Sequence, residues 1–308
     1  MKNLIKYISA LSLIFLFNAC EIEPRIIELP EHNSQLTITA ALTPQDDSLN
    51  TILFNYSIGI QDVQDFDSEN YLINPSLSLT TPDQGVIDGY IFKDVEDYSE
   101  FESARFPLWK FDYIDFIPGE TYVLHGSAEG YEDIQTSVTI PQVPELSSVK
   151  ITKSDDTDPT RYFQRDLFEI EIDDPAGESN YYRIRARPII KDNTTGIIGS
   201  SFRFYGNYSN PIDESTLEKR ITVVSDELFD GEKHTMLVYG ERGSYDFDQV
   251  EFDLIAITEA EFLYFNAVEK LNNDNPFTEP VTIQSNISNG YGLFSISSPP
   301  NTLIVTVD

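Results

Sequence analysis

Apolar and polar residues alternate with period two through most of this chain. Leu36, Ile38, Ala40 and Leu42 alternate with polar or small neighbours across Gln35–Leu42, and Ile52, Phe54, Tyr56 and Ile58 do so across Thr51–Ile58. Such alternation marks strands with one buried and one solvated face, the habit of antiparallel sheets. Ser76–Thr80, Trp109–Phe116, Tyr122–Ala128 and Ile134–Ile140 extend the series, and the acidic stretch Gln61–Asn70 reads as a loop. Short strands set off by turn residues predict a sandwich. Within it, the Pro118-Gly119 turn leads directly into Tyr122. A tyrosine there resembles the tyrosine corner of immunoglobulin and fibronectin-type sandwiches, and an ordinary edge tyrosine is the alternative.

Pro141 and Pro144 interrupt the pattern, since two prolines so close cannot continue a central strand. The expected organisation is therefore an N-terminal immunoglobulin- or fibronectin-like domain over 35–141 and a C-terminal β-rich domain over 145–308. In the second half, Phe168, Ile170 and Ile172 share a face opposite Glu169, Glu171 and Asp173. After the Asp174–Glu178 turn, Tyr182, Ile184 and Ala186 lie opposite Arg183, Arg185 and Arg187. A hairpin centred near Gly177 would set Glu171 across from Arg183 and Glu169 across from Arg185, each pair contributing about 0.2–1 kcal/mol. The alternative is an arginine row that docks a carboxylate ligand. Arg220–Val224, Thr235–Tyr239, Gln249–Ile257, Val281–Ile287 and Thr302–Val307 complete the expected strands.

One segment changes period. Thr258 followed by Glu261 is a capping box, and Phe262, Phe265, Val268 and Leu271 then recur at helical spacing. A single helix over 259–272 is expected, its aromatic stripe serving as packing.

The first twenty residues follow neither period. Lys2 and Lys6 precede an uncharged apolar run from Tyr7 to Phe17, the size and order of a secretory signal. The run is too short for a membrane-spanning helix, which needs about 20 apolar residues. Leu16-Phe17-Asn18-Ala19-Cys20 resembles the lipobox of bacterial lipoproteins. The reading is a signal over 1–19, lipid attachment at Cys20, and a polar, proline-bearing tether over 20–34. Cys20 is the one cysteine in 308 residues, so no intrachain disulfide forms.

Charge narrows the partners. Loss of Lys2 and Lys6 takes Lys+Arg from 20 to 18 against 52 Asp+Glu, leaving the mature chain at −34. Nucleic-acid binding is excluded, because phosphate neutralisation requires clustered basic residues. Anionic lipid surfaces are disfavoured for the same reason. Basic proteins, cations and neutral ligands remain.

No catalytic set can be assembled. His32, His125 and His234 lie far apart in sequence and match no zinc spacing, and no nucleophile elbow or phosphate-binding glycine loop occurs. Neither a catalytic nor a metal-ligating residue is assigned, and no cofactor is expected. Asp155, Asp156 and Asp158, and likewise Asp65, Asp67 and Glu69, are solvated acidic loops or calcium ligands, though neither fits the EF-hand pattern.

Several phrases are similar to a lipoprotein family of the Bacteroidota, the domain-of-unknown-function family numbered 4249. They are Pro118-Gly119-Glu120-Thr121-Tyr122-Val123-Leu124, Ala128-Glu129-Gly130-Tyr131, Asn180-Tyr181-Tyr182-Arg183-Ile184 and Asn275-Pro276-Phe277-Thr278-Glu279-Pro280. Asn286-Ile287 and Asn289-Gly290-Tyr291-Gly292-Leu293-Phe294 complete the set. The resemblance implies an outer-membrane lipoprotein, encoded beside TonB-dependent outer-membrane receptors and serving as an accessory subunit or a surface ligand-binding protein. A structural or adhesive envelope protein and a secreted hydrolase are the other classes. Glu21 and Glu23 after the cysteine resemble acidic surface-export signals; leaflet facing stays open, with the cell surface expected.

Overall fold

Alternating strands bury their apolar faces by pairing two sheets face to face, and the chain does this twice. The computed structural model describes residues 32–44, 50–59, 72–93, 107–153, 164–191, 196–198, 202–205, 223–242, 247–271 and 282–307. The first sandwich draws on β1 (Leu36–Leu42), β2 (Ile52–Tyr56), β3 (Ser76–Thr81), β4 (Gly85–Asp88) and β5 (Tyr90–Lys93). It continues through β6 (Leu108–Lys110), β7 (Thr121–Ser127) and β8 (Ile134–Thr139). One sheet has the order β4-β3-β7-β8. The other runs β1-β2-β6-β5 and takes its fifth strand, β17 (Tyr291–Ile296), from near the chain's end. Leu36, Ile38, Phe54, Leu79, Tyr122 and Leu124 fill the space between them, each at most 1% exposed.

The tyrosine corner is present. Tyr122 Oη accepts the Ile117 N–H at 3.0 Å and donates to the Asp115 carbonyl at 3.3 Å, while its ring is fully buried and packs edge-on against Phe116. The phenol thereby satisfies two backbone groups that the irregular 111–120 segment leaves without ladder partners.

The second sandwich pairs β9 (Glu145–Thr152), β10 (Gln164–Asp173), β13 (Arg203–Tyr205) and β15 (Lys233–Arg242), in the order β13-β15-β10-β9. Its other sheet has β12 (Gly196–Ile198), β11 (Tyr181–Lys191), β16 (Gln249–Ile257) and β18 (Asn301–Thr306) in that order, with β14 (Val223–Ser225) also on β11. Phe168, Ile170, Tyr182, Ile184, Val238 and Phe252 form its core. The helix α1 (Glu259–Leu271) lays Phe262 and Phe265 beside Val223, Ile255 and Ile257, outside that core.

Three sequence expectations are corrected here. β10 and β11 do not form a hairpin: the Asp174–Glu178 turn carries the chain from one sheet to the other, so Ile172 and Tyr182 face each other through the core. The acids of β10 instead meet lysines on its true neighbours, Glu169 with Lys150 at 3.6 Å and Glu171 with Lys233 at 2.6 Å. Periodicity specifies faces but not partners, and a sheet crossover preserves the same alternation as a hairpin. The second correction concerns the C-terminal domain expected over 145–308. Tyr291–Ile296 belongs to the first sandwich, pairing parallel with β1 from Thr37↔Tyr291 to Leu42↔Ile296. Residues 34–308 form one compact unit. The expected strand over Val281–Ile287 is irregular at 282–287.

The Asn-Gly segment explains that pairing. Asn286 accepts the Phe294 N–H with Oδ1 at 3.0 Å and donates Nδ2 to the Phe294 carbonyl at 2.7 Å, so one side chain imitates a neighbouring strand. Gly292 adopts φ +119°, and a Cβ there would lie 1.8 Å from the Ile38 carbonyl oxygen. Only glycine lets β17 approach β1 this closely.

Candidate binding pocket

The sandwiches join through a buried polar seam. Thr258 caps α1 by accepting the Glu261 N–H at 3.2 Å, as the capping box predicts. The Glu261 side chain does not return to complete that box. It is fully buried, pairs with Arg183 at 2.8 Å and accepts from Ser295 at 2.7 Å. Arg183 also donates to Thr43 Oγ1 at 2.9 Å, and Ser297 donates to the Leu42 carbonyl at 3.2 Å. β11 and α1 are thus tied to β1 and β17. Burial pushes the Glu261 carboxyl above its ordinary value, outweighing the Arg183 charge and the Ser295 hydrogen bond that pull it down.

The remaining arginines are likewise committed. Arg185 meets Asp253 at 2.8 Å, and Arg187 meets Glu251 on the neighbouring β16 strand. Thr302 also donates to Asp253, at 2.6 Å. The row is a structural ladder, but not with β10: α1 supplies the carboxylate for Arg183 and β16 those for Arg185 and Arg187.

Cys20 and the signal and tether assignments up to residue 31 lie outside the described residues, as do both acidic loops, Asp65–Glu69 and Asp155–Asp158. Among the described residues a different acidic group converges: carboxylate oxygens of Asp174, Asp226 and Asp230 lie within 4.8 Å of one another. Asp174 accepts from the Tyr182 phenol and, at 2.9 Å, from the Gly231 N–H. Asp226 accepts the Asn180 N–H and Asp230 the Gly177 N–H, both at 2.7 Å. These bonds fasten the sheet-crossing turn to the β14–β15 connection. Burial first, then Asp174, pushes the Tyr182 phenol far above its usual value, so it stays a donor. Hard oxygens of this kind suit calcium, but all three carboxylates already accept the hydrogen bonds that fasten this turn.

His125 Nε2 stands 3.6 Å from Asp133, with both side chains substantially exposed, at the edge of an open polar cavity of about 510 Å³. That separation is longer than a hydrogen bond. His234 stacks on Phe229 with ring centroids 4.4 Å apart.

The cavity with binding character lies beside Leu42, the last residue of β1. It measures about 470 Å³, within the range of small-molecule sites. The irregular stretch after β6 builds it, with Phe111 and Phe116 half-buried against the first core and Tyr113 80% exposed. Tyr90 on the edge strand β5 adds a second exposed ring, and Asp112 and Asp115 add carboxylates. Among the described residues its lining holds no serine, cysteine or histidine, and its charged groups are Lys110, Asp112 and Asp115. The strand expected over Trp109–Phe116 is confined to Leu108–Lys110, and the freed aromatics line the pocket.

Among the described residues no helix is long and apolar enough to cross a membrane. No curated protein matches the chain significantly. The model of a family described as a domain of unknown function (DUF4249) matches residues 21–301, and the chain belongs to that family.

Proposed function

We propose that this protein is an outer-membrane lipoprotein, attached through acylated Cys20, whose folded body is a non-enzymatic binding or accessory subunit acting with a TonB-dependent outer-membrane receptor in uptake. The observation that carries the binding role is the aromatic pocket beside β6, concave, ligand-sized and lined by Tyr90, Phe111, Tyr113 and Phe116. Two further facts support the reading. The family match begins at residue 21, directly after Cys20. The buried seam through Arg183 and Glu261 holds the two sandwiches as a platform that can present a pocket in a fixed orientation.

The membrane part is tested by metabolic labelling with a palmitate analogue. The native chain takes up label and Cys20→Ser does not; label retained in Cys20→Ser rejects the anchor. For the partner, the lipoprotein is drawn from membranes in mild detergent and co-purifying proteins are identified by mass spectrometry. An outer-membrane receptor is expected in the eluate. Recovery of the chain alone under several growth conditions would reject the accessory role.

A further inference from the structure

The pocket beside β6 brings together aromatic faces and carboxylates on a body that carries −34. Tyr90 and Tyr113 expose their rings, Phe111 and Phe116 lie half-buried, and Asp112 and Asp115 contribute negative charge. Among the described residues one cation lines the space: Lys110, whose Nζ already sits 4.0 Å from the centroid of the Phe92 ring. The same neighbourhood therefore holds one ammonium against an aromatic face. Aromatic quadrupoles and carboxylates attract cations together, and a strongly acidic surface raises the local concentration of positive ligands. With Lys110 counted against Asp112 and Asp115 the lining stays net negative, so an anion would meet repulsion from it and from the whole body. A neutral ligand would gain nothing from the two carboxylates beyond hydrogen bonds.

We infer that this pocket binds an organic cation, a guanidinium or ammonium group on an alkyl stem, with the stem against the phenylalanines and the head group among Tyr90, Tyr113, Asp112 and Asp115. The inference rests on the proposed binding role and names its ligand chemistry. Two sources supply such a group, a free small molecule and a basic side chain on another protein.

Calorimetry on the mature lipoprotein in mild detergent tests this with Nα-acetyl-arginine amide and its uncharged isostere, Nα-acetyl-citrulline amide. The arginine probe should bind at least about tenfold more tightly, and added salt should weaken it. Tyr113→Ala should weaken binding about fivefold without altering net charge, while Tyr113→Phe, which keeps the ring, should change it less than about twofold. Because Tyr113 is 80% exposed, both variants retain the fold, which circular dichroism verifies. Asp112→Asn should weaken binding more than Glu178→Gln at a distant exposed turn; equal effects would mean diffuse attraction to an acidic surface and would overturn the site. The peptide Gly-Arg-Gly separates the sources. Affinity equal to the amide's supports a free cation, and affinity about tenfold tighter supports a protein's side chain. Equal binding of arginine and citrulline probes, indifference to Tyr113→Ala, or Tyr113-dependent binding of cellohexaose in place of the cation would each sink the inference. None of these would by itself remove a receptor from the detergent pull-down, so the accessory role fails or stands separately.

Discussion

Arg183 on β11 and Glu261 in the first turn of α1 meet at 2.8 Å, with the carboxylate fully buried and the guanidinium side chain 18% exposed. Arg183 extends past that contact to Thr43 in the first sandwich, and Glu261 reaches Ser295 on β17. Removing one member of such a pair strands the other charge, at a cost of about 3–5 kcal/mol. Glu261→Ala is therefore expected to lower the unfolding free energy by that amount, measured by urea titration. Replacing both, as Arg183→Met with Glu261→Leu, should cost less than Glu261→Ala alone, because no unpaired charge remains. A double variant weaker than the single would show that the pair's own attraction, rather than the stranded charge, dominates.

The same carboxyl gives a pH signature. Burial holds Glu261 above its ordinary value despite Arg183 and Ser295. A carboxyl whose folded pKa exceeds its unfolded one binds its proton more tightly in the native state. Its contribution to stability is complete below the unfolded value and is lost as pH rises through the folded value. Urea titrations of the native chain and Glu261→Gln, run upward from about pH 4, should show the native chain's relative stability falling and then levelling. A relative stability that grows with pH would mean Arg183 outweighs desolvation.

Tyr122→Phe removes the hydroxyl that bonds Ile117 N and the Asp115 carbonyl. The ring and its packing stay, so the loss is that of two backbone partners, about 1–3 kcal/mol. Because those bonds brace the 111–120 segment that lines the pocket, amide exchange at Ile117 should quicken beyond the global change. Unchanged exchange there would show that other contacts hold the segment.

How far sequence carried the fold depends on how many faces each strand buries. β1, with its strictly alternating inward residues, and β7 and β8 are legible because one face is wet. β17 is not, since Leu293, Phe294, Ser295 and Ile296 are all buried and leave no alternation to read. Its parallel partner β1 stands at the other end of the chain, and no local pattern encodes so distant a pairing. The charges were visible but their partners were not: Arg185 finds Asp253 and Arg183 finds Glu261, residues that topology alone brings close. The pocket was hidden for a related reason. Phe111, Tyr113 and Phe116 look like part of a strand until the tyrosine corner is seen to divert the backbone away from any ladder.

Gly292→Ala tests how tightly β17 is seated. The added Cβ would fall 1.8 Å from the Ile38 carbonyl oxygen at a φ of +119° that L side chains rarely adopt. Backbone on both sides must shift, so a loss of several kcal/mol or failure to fold is expected. Gly130→Ala is the control, with φ +87° but nothing within 4 Å of the added carbon. It should cost only the conformational penalty, about 1–2 kcal/mol. Comparable melting temperatures for the two would mean that β17 can slide away from β1.

The seating of β17 decides which fragments can fold. A cut at the prolines, giving residues 34–144, keeps eight strands of the first sandwich and loses β17, along with Phe294 and Ile296 from its core. The fragment also opens the edge of β1, exposing ladder groups that β17 satisfies through six residue pairs. Its apolar face would remain partly uncovered, so the fragment should be aggregation-prone, bind a hydrophobic dye and lack a cooperative melt. Supplying residues 282–298 in the same chain through a flexible glycine-serine linker restores the missing strand, the Asn286 clasp on Phe294 and the Thr43–Ser297 contact. That version should melt cooperatively and remain soluble, whereas the same linker carrying Gly292→Val should not. A cooperative melt in the fragment without 282–298 would show that the first sandwich is complete without β17, and that the strand serves to fasten the second sandwich to it.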